Sequence, residues 1–247
     1  MSDTFGLYAK YYNLLYDDKD YSAEVDYVIK QLKRFAPTAK SILEFGSGTG
    51  KHGMLLQKEG YDVFGLERSE AMVAEARLKG FECQVTDISD FELKEKYDAV
   101  ISLFHVVSYI TNNVALINTF INACKHLNRQ GIFLFDVWYT PAVYEQKALP
   151  RIKKMQNGEL AVTRLADPKI DVNSNIVDVQ FTVFAKELDT GKASELFESH
   201  PMRHFSIPEI GLVAEMTGFE ILKAEEFLTG NVPSVKTWGV CFILKKK

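Results

Sequence analysis

The stretch Ser41-Ile42-Leu43-Glu44-Phe45-Gly46-Ser47-Gly48-Thr49-Gly50 decides the fold. Ile42, Leu43 and Phe45 read as a strand buried on both faces. Gly46, Gly48 and Gly50 then remove three side chains from five residues. A backbone so stripped can adopt positive φ and approach a ligand closely. Met54, Leu55 and Leu56 open an apolar helical stripe directly afterwards. The turn therefore feeds a helix N-terminus, where unpaired N–H groups and the dipole favour a polar or anionic ligand.

Three ligand readings compete for this turn. A P-loop needs Gly, four residues, then Gly-Lys-Ser/Thr; Phe45 and His52 stand at the wrong places, so it fails. A dinucleotide fingerprint is met by Gly48, Gly50 and Gly53, but leaves Gly46 without a purpose. The third pattern, acidic-x-Gly-x-Gly-x-Gly, is met by Glu44, Gly46, Gly48 and Gly50. It resembles the first motif of the class I S-adenosylmethionine-dependent methyltransferases. That resemblance implies S-adenosylmethionine as cofactor, with Glu44 helping to hold its methionine end and the glycines letting it cross the turn.

Downstream, alternating strands and helices predict a Rossmann-like, doubly wound α/β fold with a seven-stranded mixed sheet. Glu67 closes the second strand, residues 61–67, where a carboxylate can accept both ribose hydroxyls of an adenosine. Asp87 and Ile88 follow the third strand; the resemblance gives them the adenine amino group and ring. Residues 98–102 look like the fourth motif of the same family, and Leu103 joins the expected cofactor contacts. His105 and Tyr109 follow at the carboxyl edge, where open α/β sheets bind ligands. They are the candidate catalytic pair, with His105 as base and Tyr109 orienting an acceptor. Asp136, Trp138 and Tyr139, at the carboxyl end of the fifth strand, stand where a substrate wall would be; the plainer reading of Asp136 is a turn cap.

Before the turn, Tyr8, Tyr12 and Tyr16 share a helical face. Similar segments open many small-molecule methyltransferases, which implies a lid with Tyr12 or Tyr16 against the cofactor. An aromatic ring suits a sulfonium cation. Residues 1–139 are thus expected to form the lid and cofactor core. Residues 140–205 read as an inserted antiparallel flap of three strands over the acceptor site, and residues 206–247 as a closing helix and strand pair. The flap and Glu198-Ser199-His200 look similar to N-methyltransferases of nucleotide-linked amino sugars, a subgroup that often has His where Tyr109 stands. Arg164 and Arg203 suit a phosphate-bearing or acidic acceptor. A metal at Glu198, His200 and His204 is not expected, because Pro201 opposes the helix that would converge them.

Bulk properties restrict partners. Net charge is −4 over 247 residues, which excludes a broad nucleic-acid surface. No apolar run reaches a membrane-spanning length, and no secretory leader is expected. Three scattered cysteines suit a reducing cytoplasm. The expected activity is methyl transfer to a small molecule, by a monomer or homodimer. A dinucleotide-dependent oxidoreductase and a non-catalytic adenosylmethionine-binding protein are the alternatives.

Overall fold

The computed structural model describes Leu14 and residues 19–247. Tyr12 and Tyr16 lie outside the described residues. Helix α1 spans Tyr21–Phe35, its first turn capped by the Asp20 carboxylate, which accepts from Ala23 N at 2.9 Å. Then follow β1 (Ser41–Phe45), α2 (Lys51–Lys58), β2 (Asp62–Glu67), α3 (Glu70–Leu78), β3 (Cys83–Val85) and β4 (Tyr97–Ser102). A 3₁₀ turn, Val106–Tyr109, precedes α4 (Asn113–His126) and the long β5 (Leu127–Tyr139). After α5 (Thr140–Gln146) come β6 (Arg151–Gln156), β7 (Leu160–Asp171), β8 (Ile176–Glu187) and β9 (Ala193–Phe205). The described chain ends with α6 (Ile207–Met216), β10 (Phe219–Glu226) and β11 (Gly239–Lys246).

One compact unit comprises Asp20–Gln146 and His204–Lys247. Its sheet runs β3-β2-β1-β4-β5, all parallel, and continues antiparallel through β11 and β10. This is the expected seven-stranded mixed sheet, doubly wound about β1. Alternation sorts its core into two layers. Leu43, Phe45, Val100, Phe133, Phe135 and Phe242 face α4 and α6 through Phe120, Ala123, Ile210 and Val213. Ile42, Ala99, Ile101, Ile132, Leu134 and Ile243 face α1, α2 and α3 through Val28, Leu32, Leu56 and Val73. Burying each such large side chain contributes about 1.5–3 kcal/mol. Helix α5, counted with the insert in the sequence, folds in this unit. So do His204 and Phe205, which pair with Trp138 and Tyr139 beyond the end of β4.

The second unit contains Lys147–Arg203. It is an antiparallel sheet in the order β6-β7-β8-β9. Four strands stand where three were expected. The additional strand, β6, contains Arg151, Lys153, Lys154 and Gln156. Lysine-rich edges resist further pairing, and they also hide the strand from an apolar pattern search.

Candidate active site

β1 lies between β2 on one side and β4 on the other, with the chain reversing its direction of travel across the sheet there. Ligands of open α/β sheets bind at the carboxyl ends beside such a switch point. The glycine turn occupies this place. Gly46, Gly48 and Gly50 have φ of +69°, +55° and +76°. Gly46 N and Ser47 N both donate to Leu66 O, at 2.7 and 3.0 Å, pinning the turn to β2.

The glycines do different work. A Cβ on Gly46 would lie 2.5 Å from Val106 Cγ2. A Cβ on Gly50 would meet Phe81 at 2.7 Å, and one on Gly53 would meet the same ring at 2.2 Å. These three are required by protein packing. At Gly48 the nearest atom among the described residues would be Met72 Sδ at 4.0 Å, so none of them fills this side of the turn. Gly53, which the dinucleotide fingerprint would assign to a ligand, is bare so that Phe81 and Glu44 can approach the helix.

Glu67 sits beside the open glycine. Its Oε2 accepts from Gly48 N at 3.0 Å and its Oε1 from Ser69 N at 2.9 Å. Each carboxylate oxygen has two lone pairs, so this clamp fixes the group while leaving capacity for two more donors. The buried Ser47 Oγ has no hydrogen-bond partner among the described residues. A pre-oriented carboxylate, an orphaned hydroxyl and an uncovered backbone fit a ligand with vicinal hydroxyls such as the ribose of S-adenosylmethionine.

The other expected contacts are placed as follows. Glu44 is 1% exposed, and its Oε1 lies 3.9 Å from His52 Nδ1. His52 Nε2 in turn contacts Glu24 Oε2 at 2.6 Å, so a buried polar chain supports Glu44 from behind the turn. Asp87 is exposed; its Oδ1 accepts from Ser89 N and Oγ, which shapes the turn after β3. Ile88 is buried and its carbonyl accepts from Asn122 Nδ2 at 3.1 Å. Leu103 is buried at the end of β4.

The loop after β4 is strained. Phe104 and His105 are consecutive non-glycine residues with φ of +65° and +61°. Each such residue costs roughly 1–2 kcal/mol and persists only where its surroundings enforce it. Asp136 supplies that enforcement. It is fully buried in β5; Oδ1 accepts from His105 N at 3.2 Å and Oδ2 contacts His105 Nδ1 at 2.6 Å. Asp136 is therefore no turn cap: sequence reasoning missed its partner. The one available signal was a carboxylate inside the apolar run of residues 132–137. With Nδ1 against the Asp136 carboxylate, His105 has Nε2 as its second functional nitrogen. Phe104 and Trp138 flank the ring, with centroids 6.0 and 6.2 Å away. Val106, which touches Gly46, is the next residue, so this pair adjoins the glycine turn. Tyr109 ends the same 3₁₀ turn and is 38% exposed.

The remaining candidates divide between the units. His204 is buried in the larger unit, where its Nδ1 lies 2.9 Å from Thr140 Oγ1. In the sheet of β6–β9, Arg164 stacks 4.4 Å over Phe181, and His200 Nε2 contacts Glu198 Oε2 at 3.1 Å. Arg203 falls on the opposite face of that sheet by register. Among the described residues no group of three His, Cys, Asp or Glu could hold a metal ion.

The family model described as a methyltransferase domain matches residues 19–224. The chain belongs to this methyltransferase family. The finding favours the methyltransferase reading of the glycine turn over the dinucleotide one. This methyltransferase is 30% identical over 203 residues to a dTDP-3-amino-3,4,6-trideoxy-alpha-D-glucopyranose N,N-dimethyltransferase of Streptomyces venezuelae, covering 81% of the chain and 80% of that relative. It is 27% identical over 195 residues to a dTDP-4-amino-2,3,4,6-tetradeoxy-D-glucose N,N-dimethyltransferase of Saccharopolyspora spinosa, covering 74% of the chain and 78% of the relative. Its fold is that of a solved S-adenosylmethionine-dependent methyltransferase from Clostridium acetobutylicum, with a TM-score of 0.83 at 18% identity over 98% and 99% of the two chains.

Proposed function

We propose that this methyltransferase moves the methyl group of S-adenosylmethionine to the amino nitrogen of a nucleotide-linked sugar. The observation that carries the reading is the His105–Asp136 pair, strained into place beside the glycine turn. The nucleotide-sugar N,N-dimethyltransferases among its relatives supply the acceptor class. When bound, the cofactor supplies an electrophilic methyl on a sulfonium, so the protein contributes mainly orientation and exclusion of water. Glu67 would hold the ribose, Asp87 and Ile88 the adenine, Glu44 the methionine end, and Gly46, Gly48, Gly50 and Leu103 the walls. Tyr12 or Tyr16 would supply the lid contact.

An attacking amine must carry a free lone pair. His105 Nε2 takes the proton that the nitrogen loses, and buried Asp136 stabilises the imidazolium that results. Tyr109 orients the acceptor. The three free cysteines suit a cytoplasmic setting, and no helix among the described residues is long and apolar enough to cross a membrane.

The test incubates the protein with methyl-labelled S-adenosylmethionine and a panel of dTDP-amino sugars, with hydroxyl analogues as controls. Label on the sugar nitrogen, confirmed by mass spectrometry, supports the reading. Cofactor binding without label on any acceptor would instead mark a non-catalytic binding protein.

A further inference from the structure

The 247-residue chain holds two tryptophans, Trp138 and Trp238. They meet at the carboxyl edge of the larger sheet, with ring centroids 5.4 Å apart and planes inclined at 64°. Neither ring belongs to the two core layers, and each is partly exposed. Backbone hydrogen bonds fix both residues. Trp138 N donates to the buried Ser108 Oγ at 3.1 Å, and Trp238 O accepts from Tyr139 N at 2.9 Å. His105 stands beside them. Its ring centroid lies 6.2 Å from that of Trp138. A Cβ on Gly239, the residue after Trp238, would come within 3.3 Å of His105 Cε1. Phe104 lies 6.0 Å from the same imidazole. Core packing does not account for two large rings left partly in water at a ligand-binding edge.

We propose that Trp138 and Trp238 form an alkylammonium site that ranks acceptors by the number of methyl groups on their nitrogen. The inference rests on the amine reading of the function given above. Tryptophan offers the most electron-rich face of any side chain, and two rings set 64° apart bound a corner rather than a closed stack. The carboxylate on this side, Asp136, is fully buried against His105 and is negative as well. A cation is the ligand that both features attract; a phosphate or carboxylate would be repelled by both. In each round of transfer the nitrogen gives a proton to His105 Nε2 and its lone pair forms the new N–C bond. The electron pair of the broken C–S bond stays on sulfur. The product ammonium therefore has one N–H fewer and one methyl more. It holds water less strongly and gains more from an aromatic face. The singly methylated amine is thus the better ligand, and the protein favours it over the unmethylated acceptor. A wall that only packed against the sugar ring would hold both alike.

The test has two arms. In the first, tetramethylammonium chloride is titrated into the full chain and tryptophan fluorescence is read, with ammonium chloride as control. The chain holds no other tryptophan, so the signal reports on this pair. A saturable change with a midpoint on the order of 10 mM is expected for tetramethylammonium and none for ammonium. In Trp238→Leu the midpoint should rise about tenfold. In the second arm, kcat/KM is measured for a dTDP-amino sugar and for its N-methylated form. Trp238→Leu should lower the ratio of methylated to unmethylated about tenfold, whereas Trp238→Phe, which keeps a ring, should hold it within about threefold of wild type. Circular dichroism establishes that each variant is folded. A silent titration, or an equal response to both salts, would overturn the proposal. So would a ratio unchanged in Trp238→Leu, or one that falls equally in Trp238→Phe. If neither sugar is methylated, the proposed function fails and this inference with it; if the amino sugar is methylated and the titration is silent, the inference alone falls.

Discussion

At the scale of single residues, Asp136 and Glu67 are both carboxylates clamped from two sides, but to different ends. Asp136 holds a strained histidine through backbone and ring at once. Asp136→Asn keeps the shape but cannot balance an imidazolium. We expect kcat to fall about 100-fold or more, in the range for a displaced general base, with cofactor affinity within about twofold of wild type. Steady-state kinetics beside calorimetric titration separates the two effects; equal losses in both would show a collapsed loop instead. Glu67 has the reverse profile. Glu67→Ala should weaken S-adenosylmethionine about 100-fold, the cost of losing charge-assisted hydrogen bonds at a partly buried site. Unfolding temperature without ligand should stay nearly constant, and unchanged affinity in the same titration would remove Glu67 from the cofactor set.

At the scale of elements, the join between β1 and β4 is made by Asp98. Its Oδ2 accepts from Lys40 N at 2.9 Å, Ser41 N at 3.1 Å and Ser41 Oγ at 3.1 Å, and its Oδ1 from Asn128 Nδ2 at 2.8 Å. Partial burial alone would raise the Asp98 pKa, but these donors outweigh it and hold it below the ordinary value. A carboxylate lowered by folding stabilises fully above its unfolded pKa, about 3.9, and loses that contribution as pH falls through the folded value. Resistance to urea should therefore fall on acidification below about pH 4. In Asp98→Asn that part of the pH dependence should flatten; a curve identical to wild type would assign the acid lability elsewhere. The elements that were legible in sequence are those with strong periodicity, such as α1 with Val25, Val28, Ile29 and Leu32. β6 was not, because its exposed edge places lysines where alternation should show. The His105–Asp136 contact was not legible either, because 31 positions separate two residues that only the sheet brings together.

At the scale of the whole molecule, the larger unit carries the residues proposed for the cofactor on strand ends contributed by β1, β2, β3 and β4. Ligand that binds there should stabilise the native state by about 2.7 kcal/mol at a concentration 100 times its dissociation constant. Differential scanning calorimetry should show the transition rising with S-adenosylmethionine and barely moving in Glu67→Ala; a rise of equal size in both would put the ligand away from Glu67. The glycine turn was readable because three bare positions in five residues have few explanations. Which glycine faces a ligand was not, because that depends on Phe81, contributed by a distant part of the chain. The same ring constrains how this protein can change over generations. Phe81 presses against Gly50, Gly53 and Gly65 together, so alanine at Gly53 should be ruinous while the ring is present and far milder once Phe81→Ala has removed it. Expressing the two single variants and the double variant, and comparing their unfolding temperatures, measures that dependence. If the double variant is merely the sum of two losses, the ring imposes no order on substitution; if it recovers, mutations at these sites can be fixed only in one sequence, ring before glycine.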